Sequence, residues 1–243
     1  MVFVDDLGME LILNGLIALT LFYLGVRTYF RYRASGNDKA LNELKSSAPL
    51  IGVFGFIVLL MGTFGEIAWP LMPGTPGAKY NILFYDPTML FGIALVSFAL
   101  SLAYNLKTQY VGLYSMVAGA VTIYYGVVGY NLGMTQAPIA LLLLYVAFGG
   151  AGIFTFPATL LIDKMLSPKV LPSGVAEKKE IGIPASTLMV AANVQRVAGE
   201  VKYRVGIASN FTLALFLVFL IGAAVLSFYI GLNAIPSHLA NVP

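Results

Sequence analysis

Six apolar runs of about 20 residues recur along this chain, and each is long enough to cross a hydrocarbon core of about 30 Å at 1.5 Å of helix rise per residue. They lie near Glu10–Tyr29, Ala48–Trp69, Pro87–Leu106, Tyr110–Leu132, Ile139–Ile162 and Ala208–Leu232. The runs are continuous, whereas the strands of a transmembrane barrel alternate apolar and polar residues over about ten positions. The expected fold is therefore all-α: a polytopic transmembrane bundle of about six spans, forming a single domain over residues 1–243. Composition agrees, because 59% of the residues are hydrophobic and 10% charged, against roughly 45–50% and about 25% in soluble domains. A soluble globule is excluded.

Basic residues in short loops stay on the cytoplasmic side of a membrane. Arg27, Arg31, Arg33, Lys39 and Lys45 follow the first span, and Lys107 separates the third from the fourth. Lys164, Lys169, Lys178, Lys179, Arg196, Lys202 and Arg204 lie between the fifth and sixth. Only Lys79 falls opposite, so 13 of the 14 basic residues assign both termini to the outer face of a multi-pass protein of the cell membrane. Asp5, Asp6 and Glu10 precede or open the first run with no basic residue before it, the reverse of a signal peptide, so that span is expected to be retained. The formal net charge of +3 is then a matter of topology and of contact with anionic headgroups. It gives no argument for nucleic acid as a partner.

Chemistry is constrained by what is missing from the sequence. With no cysteine, disulfides and thiolate-ligated clusters cannot form, and the single histidine, His238, cannot supply a facing pair for a haem. No nucleophile–base set, metal-ligand cluster or cofactor motif is visible, so no catalytic, metal or cofactor-binding residue is assigned.

Two connections are long. Residues Pro70 to Asp86 are rich in Pro and Gly and read as a looped turn region, with Trp69, Tyr80, Phe84 and Tyr85 suited to an interfacial aromatic belt. Within residues 166–207, a polar loop with Pro168, Pro172 and Gly174 precedes a stretch in which Val190, Val194, Val197 and Val201 recur at helical spacing, opposite Asn193, Arg196, Glu200 and Arg204. That pattern predicts a cytoplasmic amphipathic helix. The short Lys107-Thr-Gln connection predicts that the third and fourth spans are antiparallel neighbours.

The fourth span carries the most specific pattern. Gly112, Gly119, Gly126 and Gly133 are spaced by seven, with Ser115, Thr122 and Gly129 three residues after the first three. Small residues on one face let helix backbones approach closely in lipid, where no hydrophobic drive brings helices together. Packing inside the chain is the first reading of this seam; a subunit interface and a wall lining a solute path are the others. Tyr114, Tyr124, Tyr125 and Tyr130 fall outside it. The second span looks like a diluted copy at an offset of 60 residues, pairing Gly52 with Gly112, Gly55 with Ser115 and Gly62 with Thr122.

Glu66 is the acidic residue that falls well inside a span, and it continues the face made by Gly55 and Gly62. An intramembrane carboxyl is a functional candidate by default, here for a proton or a cation. The offset places it at the equivalent of Gly126, a position with room to receive it. Asn14, Asn105, Asn131 and Thr155 read as interhelical hydrogen-bonding groups, and Asp163 as an interfacial charge. Phe148-Gly-Gly-Ala-Gly152 lacks the Lys of a phosphate loop, and Pro157 predicts a kink.

The run Phe84-Tyr-Asp-Pro-Thr-Met-Leu-Phe-Gly92, the Gly/Tyr-rich fourth span and Gly133-Met-Thr-Gln-Ala-Pro138 resemble a family of archaeal and bacterial polytopic membrane proteins of unknown function. The resemblance covers residues 48–163 best, implies a multi-span fold and carries no catalytic residue with it. Among function classes, a non-enzymatic structural or accessory subunit comes first, assembling with itself or with other membrane subunits. A channel or transporter for a small solute, proton or cation that uses Glu66 is the alternative. An enzyme is the least favoured.

Overall fold

The computed structural model describes residues 6–68, 70, 79–135, 137–166 and 207–240. They form six helices and, among the described residues, no strand: α1 (Asp6–Ser35), α2 (Asn37–Ala68), α3 (Lys79–Ala103), α4 (Gln109–Asn131), α5 (Pro138–Leu166) and α6 (Ile207–Ala240). All six are long and apolar enough to cross a membrane. Large apolar side chains such as Phe56, Ile67, Tyr124 and Phe211 are exposed on their outer faces, which suits a lipid surround. Trp69 and the amphipathic stretch expected within 166–207 lie outside the described residues.

The helices associate as antiparallel pairs through glycine, because a missing Cβ lets two backbones approach. On α2, a Cβ added to Gly55 would lie 2.7 Å from Leu95, and one at Gly62 would lie 2.5 Å from the backbone of Met89 on α3. On α1, Gly15 faces Ser227 and Gly25 faces Leu217 of α6. The tightest pair is α4 with α5. A Cβ at Gly119 would sit 2.4 Å from the Gly149 carbonyl oxygen, and one at Gly152 would sit 2.8 Å from that of Ser115. Gly112 meets Phe156 and Thr159, Gly126 meets Tyr145, and Gly129 meets Leu141 and Leu83.

Gly133 departs from this seam, since nothing lies within 4 Å of the place its Cβ would take. Its φ of +57° and the Met134 N–H donated to the Gly129 carbonyl make it the left-handed residue that ends α4. Asn105 does the same for α3, with φ of +56° and the Leu106 N–H donated to Ser101. Asn105 is exposed at this turn rather than set between helices. Thr155 bonds back to Ala151 in its own helix, and Asn131 is exposed at the end of α4.

Two further expectations are corrected. α3 begins at Lys79 rather than after Asp86, so Phe84 and Tyr85 lie within a helix and are buried at 8% and 2% exposure instead of forming an interfacial belt. Asp163 is no bare interfacial charge. Its carboxylate accepts the Thr108 N–H at 2.6 Å and hydroxyl at 2.8 Å, and the Gln109 N–H at 3.0 Å, which caps α4 from the last turns of α5. α5 itself continues through Pro157 to Leu166.

These pairings set the polarity of the bundle. The junction of α1 with α2, that of α3 with α4, and the end of α5 share one end, with Arg27, Arg31, Arg33, Lys39, Lys45, Lys107 and Lys164. At this basic end Glu43 bridges α2 to α1, accepting from Arg27 at 2.8 Å and Arg31 at 3.1 Å. The opposite end holds Glu10, Glu66 and Asp86.

Candidate functional site

The acidic end of the bundle gathers polar side chains that the apolar runs around them would not lead one to expect. Glu66, near the end of α2, and Asp86, eight residues into α3, bring their carboxyl groups within hydrogen-bonding reach of each other. The pairing of α2 with α3 puts them there: Gly62 rests on Met89 and Gly65 on Tyr85, and Glu66 follows in the same register. The position equivalent to Gly126 is not what receives Glu66, because the space over Gly126 is taken by Tyr145.

From α4, the Tyr125 hydroxyl donates to Asp86 Oδ2, and the Tyr114 hydroxyl donates to the Leu90 carbonyl at 3.2 Å. These tyrosines lie outside the glycine seam and supply hydrogen bonds between α4 and α3. Tyr124 and Tyr130 of the same helix are exposed.

A second acid lies deeper. Glu10 is 3% exposed, and the Thr88 hydroxyl of α3 donates to its Oε1. It had read as the charged edge of the first span; the structure places it inside the protein. Tyr145 of α5, itself bonded to the Leu83 carbonyl, stands within electrostatic reach of Glu10, Asp86 and Tyr125.

Behind this region a cavity of about 210 Å³ runs down the bundle, lined at one end by Glu10, Asn14 and Tyr145 and at the other by Thr28, Tyr32 and Met165. Ser115, Gly119 and Thr122 of the seam form part of its wall, so one face of α4 both packs on α5 and borders the cavity. Asn14 is 8% exposed, and its Oδ1 has no hydrogen-bond partner. No group of three or more potential metal ligands occurs among the described residues.

Sequence reasoning reached Glu66 alone among the three acids. A signal for Glu10 was present, since Glu10, Asn14, Leu21, Gly25 and Thr28 recur on one helical face and would have placed the carboxyl on an inward stripe. Asp86 gave no comparable cue.

Six membrane-length helices around an interior lined by acids, tyrosines and a cavity make this a polytopic integral membrane protein. The chain belongs to the family described as protein of unknown function DUF981, whose model matches residues 1–241. No curated protein matches the chain, and no solved structure does.

Proposed function

We propose that this protein moves protons across the cell membrane, alone or coupled to a small solute, with Glu66 and Asp86 as the proton-carrying pair. The observation that carries the reading is the closeness of the Glu66 and Asp86 carboxyl groups at the acidic end of the bundle. Two carboxyl groups held close together can share one proton, and in this reading the pair takes it up and passes it on. Glu66 and Asp86 are each partly exposed, which gives that proton access from the acidic end, and Tyr125 and Tyr145 lead from them toward Glu10 and the cavity.

In this reading the acidic end faces outward, supported by the seven basic residues named at the opposite end. The accessory or self-associating reading drew on the glycine seam, the amphipathic stretch and the short loops; of these, the seam face is occupied by α5 within the chain.

The test is flux. Liposomes containing the purified protein and an internal pH dye should acidify under an imposed proton gradient faster than empty liposomes. Glu66→Gln should remove the difference while leaving assembly intact. Absence of proton flux above the empty control overturns the proposal.

A further inference from the structure

The cavity has a shape and a polarity that specify what it can hold. Between Glu10 and Tyr32, α1 rises roughly 33 Å, and both residues line the same cavity. Its volume is about 210 Å³. Drawn out over that length, it accommodates a slender chain better than a fused ring system. Its long walls are apolar and aromatic, with Phe91, Phe98, Phe148 and Phe216 among them.

Its one acidic group, Glu10, lies at one end. Glu10 is held toward the cavity by Thr88, and no Lys or Arg lines the cavity. Asn14 lies one helical turn further in, more than nine-tenths buried, with its Oδ1 unpartnered. Near the other end the Thr28 hydroxyl, 6% exposed, is also without a partner. A buried polar group left without a bond is costly, and a carboxyl in an apolar cavity favours a cation. Aromatic walls add to that preference.

We propose that the cavity binds a single-chain amphiphile bearing a protonated amine, with the nitrogen at Glu10 and Asn14 and the alkyl chain laid along α1 toward Thr28. The inference stands on the cavity alone and does not require that the protein move protons.

Equilibrium binding tests it. Radiolabelled dodecylammonium, at low mole fraction in phosphatidylcholine nanodiscs carrying the intact protein, should bind saturably, one per chain, above empty nanodiscs. Dodecanoate, with the opposite charge and the same chain, should not compete. Dodecanol should compete about tenfold or more less well, because it lacks the charge. Glu10→Gln should weaken binding by about tenfold or more. Asn14→Leu, which keeps the bulk and removes the amide, should also weaken it and serves if Glu10→Gln fails to fold. Equal competition by dodecanol or dodecanoate overturns the proposal, as does unchanged affinity in the folded variants or binding no greater than to empty nanodiscs. A protein that binds dodecylammonium yet shows no proton flux overturns the transport reading and leaves this one standing.

Discussion

Asp163 holds the first turn of a helix to which it does not belong: its carboxylate accepts the backbone N–H groups of Thr108 at 2.6 Å and Gln109 at 3.0 Å. Helix starts leave such donors unpaired, and α4 has no capping bond from its own Thr108 side chain. Asp163→Ala should therefore lower stability by about 1–2 kcal/mol, read as a fall in the thermal midpoint in detergent. Asp163→Asn, which keeps one acceptor oxygen, should lose less. Equal loss in both variants would show that charge rather than capping matters.

The crossing of α4 and α5 predicts a sharp positional contrast. A side chain at Gly119 meets the Gly149 carbonyl, a backbone atom that cannot rotate away, so Gly119→Leu should separate the helices and cost about 3 kcal/mol or more. Tyr124 is 67% exposed, and Tyr124→Leu should stay within about 0.5 kcal/mol of the parent. Thermal unfolding of the two variants decides, and similar losses would remove any special role for the glycine register.

Tyr125 offers a graded test of the acid pair. Tyr125→Phe removes the donor to Asp86 and retains the ring that packs α4 on α3, so proton flux in liposomes should fall while thermal stability changes by about 1 kcal/mol. Asp86→Asn should abolish flux as Glu66→Gln does. Flux that survives Asp86→Asn would exclude the pair as the carrier.

Orientation can be read by labelling. Single cysteines at Lys39 and Lys107 should react with an impermeant maleimide only from the cytoplasmic side, and one at Ala137, in the α4–α5 connection, only from outside. The inverted pattern would reverse the proposed topology.

The spans were legible because each apolar run is as long as the membrane is thick, a signal that survives errors at either end. The α4 seam was legible because glycine recurs every seven residues where lipid gives no other reason for it. What it packs against was harder to see: Gly149 and Gly152 lie in an irregular cluster with no heptad of their own. Asp86 was obscured by the proline after it, since the residue before a proline usually leaves the helical region. The Pro- and Gly-rich stretch before it reinforced the reading as a turn, yet the helix starts at Lys79 and runs through Pro87. Glu10 was missed for a different reason. A charge a few residues into an apolar run reads first as the edge of the membrane, and only the helical stripe that Glu10 shares with Asn14 and Thr28 points inward, to where Thr88 meets it.

The glycine pairings also impose an order of events. α2 with α3 and α4 with α5 are neighbours in sequence, so each pair can close as soon as its second helix enters the bilayer. α1 packs on α6, where the partners of Gly15 and Gly25, Ser227 and Leu217, lie about 200 residues later, and must wait for the end of synthesis. Until then the stripe of α1 that carries Glu10 and Asn14 has no α6 beside it, and the cavity lacks the wall formed by Leu213, Phe216 and Leu220. The interior chamber is the last part of this protein to come into being, and a chain halted before its sixth helix would have the glycine-bonded hairpins without the compartment they help enclose.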